Sequence, residues 1–300
     1  MRREIAFYIL LLALMAISCK KEDLTPSYIE ITKEDLQNSM DMGDFNFVQN
    51  TTYTAEELAA IARQNFTHVG LLVNGKNLGV YTLPAKIPIL STDSTQLYIM
   101  PCVKMDGIST TVRNYDVMVS PCITTIFLKK GEIYSFKDNP IRFKFQKGVQ
   151  IPLLELFNNS TVFSPDTIVS PISLKVEMID GQNVGVITIN ETQKPFELIG
   201  PEMTVPAQEK NLFFEMDYKC DRDVYIGIDL YYNGLWNARS LIGLRPTNTW
   251  NKIYVNLTKI VGNGAQGNAT IKARMRLAGN SMDAEQAKFC FDNMKVIYIK

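Results

Sequence analysis

The second half of this chain reads as a train of short apolar bursts of strand length, joined mostly by turns of Gly, Asn or Pro. "ISLKVEMID", "VGVITIN", "LFFEMDYKC", "VYIGIDLYY", "WNKIYVNLT", "IKARMRLAG" and "AKFCFDNMKVIYIK" follow one another from Ile172 to the C-terminus. β-Branched and aromatic residues at that length suit a pleated sheet with a buried face. Turn residues at regular intervals fold such strands into a sandwich or jelly roll. The first half continues the pattern with "QLYIMPCV", "TTIFLK" and "IRFKFQ", where Pro101 and Pro121 belong at edges or turns. Asn74-Gly75 between two apolar runs specifies a hairpin with strands over 67–73 and 78–83, because a type I′ turn needs positive φ at both central residues. Only "TAEELAAIARQ", Thr54 to Gln64, reads as a helix outside the N-terminal apolar run, opened by a Thr54–Glu57 capping box.

The chain has 300 residues, 46% of them hydrophobic, enough for two packed domains. The boundary is expected near Lys147, giving one β domain over 46–146 and a second over 147–300. The 31 basic and 31 acidic residues cancel, which argues against nucleic acid as a partner.

The N-terminus has its own logic. Met1-Arg2-Arg3 precedes an apolar stretch from Ile5 to Ile17, too short to span a bilayer as a helix. A basic start, an apolar centre and small residues before a break describe a secretory signal peptide over 1–18. Ala16-Ile17-Ser18-Cys19 resembles a bacterial lipobox, with Ala16 in place of the usual Leu. The resemblance implies that Cys19 is lipidated and becomes the mature N-terminus. Multiple acyl chains anchor a protein stably at roughly 0.8 kcal/mol per buried CH2. Lys20-Lys21-Glu22-Asp23 resembles the export signal of Bacteroidota surface lipoproteins, which implies display on the outer membrane. The polar residues 19–45 read as a flexible tether.

Val73, Gly75, Gly79 and Pro84 resemble the hairpin motif of the PEGA-type surface domain, which implies an Ig/PEGA-like β-sandwich for the first domain. "FFEMDYK", "TWNKIYVNLT" and "FCFDNMKV" resemble the galactose-binding-like jelly roll shared by many carbohydrate-binding modules. The expected fold is therefore all-β, an Ig/PEGA-like sandwich followed by a C-terminal jelly-roll sandwich. One fold hosts many functions, so the ligand does not follow from it.

The chemistry in the chain is sparse. His68 is the only histidine, no G-x-S-x-G elbow exists and no Walker loop is present. The stretch from Gly262 to Thr270 reads as a loop between strands. Cys102, Cys122, Cys220 and Cys290 fit no zinc spacing. In an oxidising compartment Cys102 with Cys122, and Cys220 with Cys290, are conceivable disulfides, with buried free thiols the alternative. Glu215 and Asp217 stand two apart and share a face in a strand, the minimum for carboxylate-driven glycoside hydrolysis. The resemblance to carbohydrate-binding jelly rolls implies a structural calcium on Asp292, with Glu215 as a possible partner; calcium takes six to eight oxygens, and the alternative is an Asp292 that only hydrogen-bonds a nearby turn.

Tyr231, Tyr232, Trp236 and Trp250, with Asn233, Asn237, Arg239 and Arg245 among them, gather aromatic faces and polar donors in one stretch, the combination that a sugar needs. Trp236 with Tyr232 is the expected contact pair, with Asn237 and Arg239 as polar partners, and one of the two adjacent tyrosines must face inward. Trp250 matches a packing tryptophan of the related jelly rolls. The function expected from these readings is a non-enzymatic, lipid-anchored surface protein that binds a glycan. The rivals are an assembly component docked on an envelope protein, and a carboxylate-dependent polysaccharide hydrolase.

Overall fold

The computed structural model describes residues 25–37, 39–90, 94–108, 110–119, 122–190, 195–207, 211–280 and 286–300, without the side chains of Cys122 and Ile123. The signal segment, Cys19 and the charged residues after it lie outside these. Among the described residues no helix is long and apolar enough to cross a membrane.

The chain is all-β. Its first half carries β1 (Ser27–Ile31), β2 (His68–Val73), β3 (Lys76–Thr82), β4 (Ala85–Ile89), β5 (Ser94–Lys104), β6 (Val112–Asn114), β7 (Cys122–Phe127) and β8 (Ile133–Tyr134). These make a three-stranded sheet, β4-β1-β8, and a five-stranded one in which β3-β2-β5 continues into both β6 and β7. The second half carries β9 (Val149–Glu155), β10 (Ser164–Pro165), β11 (Lys175–Ile179), β12 (Gln182–Asn190), β13 (Phe196–Ile199), β14 (Met203–Pro206), β15 (Phe213–Cys220), β16 (Val224–Tyr232), β17 (Leu235–Leu244), β18 (Thr247–Asn256), β19 (Thr270–Gly279) and β20 (Gln286–Ile299). One six-stranded sheet runs β10-β13-β19-β16-β17, with β14 beside β13 on β19. The other runs β11-β12-β20-β15-β18, with β9 also on β20. The two enclose the larger apolar core, a β-sandwich.

Strand alternation decides what faces in. Along β19, Ile271, Ala273, Met275 and Leu277 are buried, whereas Lys272, Arg274 and Arg276 point outward. Along β16, Val224, Ile226, Ile228 and Leu230 are buried. Burying each such side chain stabilises by about 1.5–3 kcal/mol. Turn chemistry fixes the register. Asn74-Gly75, Asp180-Gly181 and Asn233-Gly234 all take positive φ at both residues and close β2–β3, β11–β12 and β16–β17. The first hairpin lies within two residues of the expected strand limits, and the capping box at Thr54 and Glu57 opens a helix over Ala55–Ala62.

Residues 19–45 are only partly a tether. β1 pairs with β4 and β8, and Ile29 and Ile31 are buried in the first core. Leu36 and Phe45 are buried there too. Polar outward residues alternate with the apolar ones in this segment, so its composition looks like that of a solvated linker.

Neither conceivable disulfide is formed: Cys102, Cys220 and Cys290 are buried free thiols. Cys290 stands opposite Lys219, and Cys220 opposite Phe289, on neighbouring strands. With a side-chain period of two, the thiols of 220 and 290 face opposite sides of the sheet. Cys122 pairs with Ile99, three residues along β5 from Cys102.

The two halves are not strung on a loose linker. Phe213, Tyr254 and Ile297 of the second half are buried in the core of the first. The Tyr115 ring lies 5.4 Å from that of Phe213 and 5.2 Å from that of Tyr254. Asp106 N–H donates to the Tyr254 carbonyl at 2.8 Å, and Asn256 N–H donates to Asp106 Oδ1 at 3.0 Å.

Candidate functional site

The register of β16 and β17 separates the residues expected to act together. Tyr231 pairs with Trp236, Leu230 with Asn237 and Ile228 with Arg239. Opposed residues of an antiparallel pair point to the same face, and neighbours along a strand point to opposite ones. Trp236 therefore stands on the outward face of the sheet with Tyr231, their rings 5.2 Å apart. Tyr232, Asn237 and Arg239 project to the other side, at the open edge of the sandwich. There Asn237 Nδ2 donates to the Leu235 carbonyl at 2.9 Å, and Arg239 donates to the Tyr232 hydroxyl. These two polar side chains brace the hairpin rather than join Trp236.

Trp236 is itself engaged. The Arg274 guanidinium lies 4.0 Å from the indole centroid, a cation–π contact. Asp229 holds that guanidinium at 2.7 Å and receives Arg276 Nε at 2.6 Å. Arg276 in turn reaches Asp166 at 2.8 Å, and Glu197. This ladder of opposite charges occupies the centre of the outward face.

The open surface lies beside it. Tyr231, 39% exposed, forms a wall of a depression of about 340 Å³ at the end of the same face. Asn233, Gln266, Asn268, Thr204 and Thr270 line the rest, with Lys272, whose ammonium is bound by Glu202 at 2.6 Å. Two turns place these amides. Asn233 and Gly234 close the β16–β17 hairpin, and Gln266 and Gly267 take positive φ after the short helix Thr258–Gly264. Asn268 Nδ2 donates to the Ala265 carbonyl at 2.8 Å, which fixes its amide plane. Gly264 lets the helix end lie on β16, for a Cβ there would stand 2.4 Å from Leu230 Cδ1. One aromatic ring with amides and hydroxyls around it matches a polyhydroxylated neutral ligand.

Of the residues expected to bind ligand, only Tyr232 reaches this depression. Tyr231 and Asn233 belong to the aromatic and polar cluster read from the sequence but were not singled out as contacts, and Gln266 and Asn268 escaped that reading. The signal available was the pair of Asn-Gly and Gln-Gly turns, but their meeting depends on β19 lying between β14 and β16.

Glu215 and Asp292 do not form a calcium site. Glu215 Oε2 sits 2.9 Å from Lys295 Nζ and 3.3 Å from Lys252 Nζ, and the Tyr115 hydroxyl donates to its other oxygen. Burial would raise this carboxyl, but Lys295 and Lys252 outweigh it and hold it below its ordinary value. Burial pushes the Lys295 ammonium down to about 8, with Glu215 opposing. Asp292 is bound by Arg63, which also holds Asp217 at 3.1 Å. The cations that these acids need come from the chain itself, and among the described residues no three His, Cys, Asp or Glu side chains cluster as metal ligands.

Glu215 and Asp217 do share a face, as their spacing implies, and both contact Lys252. A fully buried Glu215, however, cannot meet a polysaccharide, so the hydrolase reading loses its central residue. His68 is buried with Nδ1 2.8 Å from Thr67 Oγ1. Trp250 packs beside Val184, Val186 and Cys290, with Nε1 3.3 Å from Asp180.

No family model and no curated protein matches the chain. Solved structures resemble it at low identity. A family 61 carbohydrate-binding module in complex with β-1,4-galactotriose has a TM-score of 0.29 and 16% identity, over 46% of this chain and 87% of that one. A family 11 module from Clostridium thermocellum, in complex with a β-1,3-1,4-mixed-linked tetrasaccharide, has a TM-score of 0.32 and 14% identity, over 50% and 95%. A structure addressing promiscuous specificity in carbohydrate-binding modules of the β-sandwich superfamily has a TM-score of 0.31 and 11% identity, over 76% and 84%.

Proposed function

We propose that this chain is a non-catalytic, lipid-anchored protein of the outer-membrane surface that captures a neutral glycan in the depression beside Tyr231. The single observation that carries the reading is the Tyr231 ring standing among Asn233, Gln266, Asn268, Thr204 and Thr270 around about 340 Å³ of open volume. The reading rests on these side chains and not on the likeness to carbohydrate-binding modules. A pyranose presents C–H groups to the ring and hydroxyls to the amides, and turns already fixed in the free protein limit the ordering cost of binding. Lipid on Cys19 would hold the protein at the membrane, and its export signal would turn the sandwich outward.

A glycan array probed with the full chain tests the site, beside Tyr231→Ala and Asn268→Ala. Retention of a neutral glycan by the native chain, weakened at least tenfold in both variants, is the expected result; tenfold corresponds to about 1.4 kcal/mol. Silence across the array, or equal retention by Tyr231→Ala, defeats the proposal. Incorporation of labelled palmitate, lost in Cys19→Ala, tests the anchor.

A further inference from the structure

A second cavity lies where the two halves of the molecule meet, away from the Tyr231 depression. It holds about 450 Å³, within the range of small-ligand sites. Asn65, Lys104 and Asp106 line it from the first half, and Arg245, Asn251 and Tyr254 from the second. Its walls are set before any ligand arrives. Tyr254 Oη accepts the Asn65 N–H at 2.9 Å, and Met105 and Tyr254 form a β-bridge across the junction.

The charges around it are unequally committed. Lys252 also lines the cavity, but its ammonium lies between Glu215 and Asp217, each at 3.3 Å. Asp106 accepts a backbone N–H from Asn256. Lys104 and Arg245, one from each half, have no carboxylate within ion-pair distance among the described residues. Both are exposed. Two cations without a carboxylate partner, one neighbouring acid and two amide side chains on the same walls suit a ligand that is both anionic and rich in hydroxyls.

We propose that this interdomain cleft binds an acidic oligosaccharide, with its anionic groups engaged by Lys104 and Arg245 and its hydroxyls by Asn65 and Asn251. The site exists only when both halves are in place, and it does not depend on the neutral-glycan site at Tyr231. An arginine fork can grip a carboxylate through two bonds, and lysine supplies a point charge.

The test is calorimetric titration of the full chain with trigalacturonate, with neutral galactotriose and citrate as comparison ligands. Trigalacturonate is expected to bind, and to bind at least tenfold more weakly in Lys104→Ala and in Arg245→Ala. Its affinity is expected to fall as sodium chloride rises from 50 to 500 mM, in line with screening of exposed charges. Tyr231→Ala is expected to leave it unchanged. Absence of binding, native-like affinity in both cation variants, or citrate binding as tightly as trigalacturonate overturns the proposal. Failure of galactotriose to bind bears only on the site beside Tyr231.

Discussion

Lys295 belongs to a buried charge cluster at the junction of the two halves. It is fully buried in β20, and its ammonium faces Glu215, which also takes Lys252 and the Tyr115 hydroxyl of the first half. Removing one partner of a buried pair leaves an uncompensated charge in a dry setting. Lys295→Met is therefore expected to lower stability by about 3 kcal/mol in urea unfolding, within the range for broken buried pairs. A loss below about 1 kcal/mol would show that Lys252 alone satisfies Glu215. The same carboxylate sets an acid limit. A carboxyl with a depressed folded-state pKa stabilises fully above its unfolded value, here near 4.5, and that contribution drains away as the pH falls below it. The melting temperature of the native chain should thus drop more steeply than that of Glu215→Gln between about pH 5 and pH 3. Asp292, which burial holds above its ordinary value against the pull of Arg63, acts in the opposite direction and is common to both proteins. Parallel slopes would remove Glu215 from the account.

Hairpins are the elements in which local sequence and function can be separated. Gly75 and Gly234 have φ of 79° and 78°, and a Cβ on either would meet nothing within 4 Å. Alanine at either position thus carries backbone strain without a clash, expected at about 1–2 kcal/mol. Their consequences for binding should differ. Gly75→Ala disturbs a turn between β2 and β3, remote in sequence and sheet from the candidate site. Gly234→Ala disturbs the turn that carries Asn233 and follows Tyr231, so it should weaken neutral-glycan binding as well as stability. Thermal unfolding and glycan titration of both variants check this; equal affinities would separate the Asn233 turn from the site. Asn74-Gly75 and the Thr54 capping box were legible in sequence because their geometry is encoded within four residues. The strand pairing that brings Gln266 and Asn268 toward Tyr231 was not, because it depends on partners up to 70 residues apart along β14, β16 and β19.

At the scale of the molecule, the junction is part of both cores. Separating the chain near residue 147 would expose Phe213, Tyr254 and Ile297 and leave Glu215 without the Tyr115 hydroxyl. The full chain is expected to unfold in one calorimetric transition. A 147–300 fragment should melt several degrees lower, at about 2–4 °C per kcal/mol lost for a domain of this size. Two independent transitions, or a fragment as stable as its counterpart in the intact chain, would show that the halves merely touch.

What the sequence determined by itself is the all-β character, the hairpin turns and the inward alternation, because each is written in the local pattern of residue size, branching and turn chemistry. It misjudged residues 27–31 as linker and grouped Trp236 with Tyr232, Asn237 and Arg239. Linker and strand can share a composition, and adjacency in sequence hides which face a strand residue takes. Only the tertiary structure decided that Glu215 is a buried counter-ion, that Tyr231 and not Tyr232 faces outward, and that Lys104 and Arg245 border one cleft. Those outcomes depend on long-range pairing between strands, which no single stretch of sequence carries.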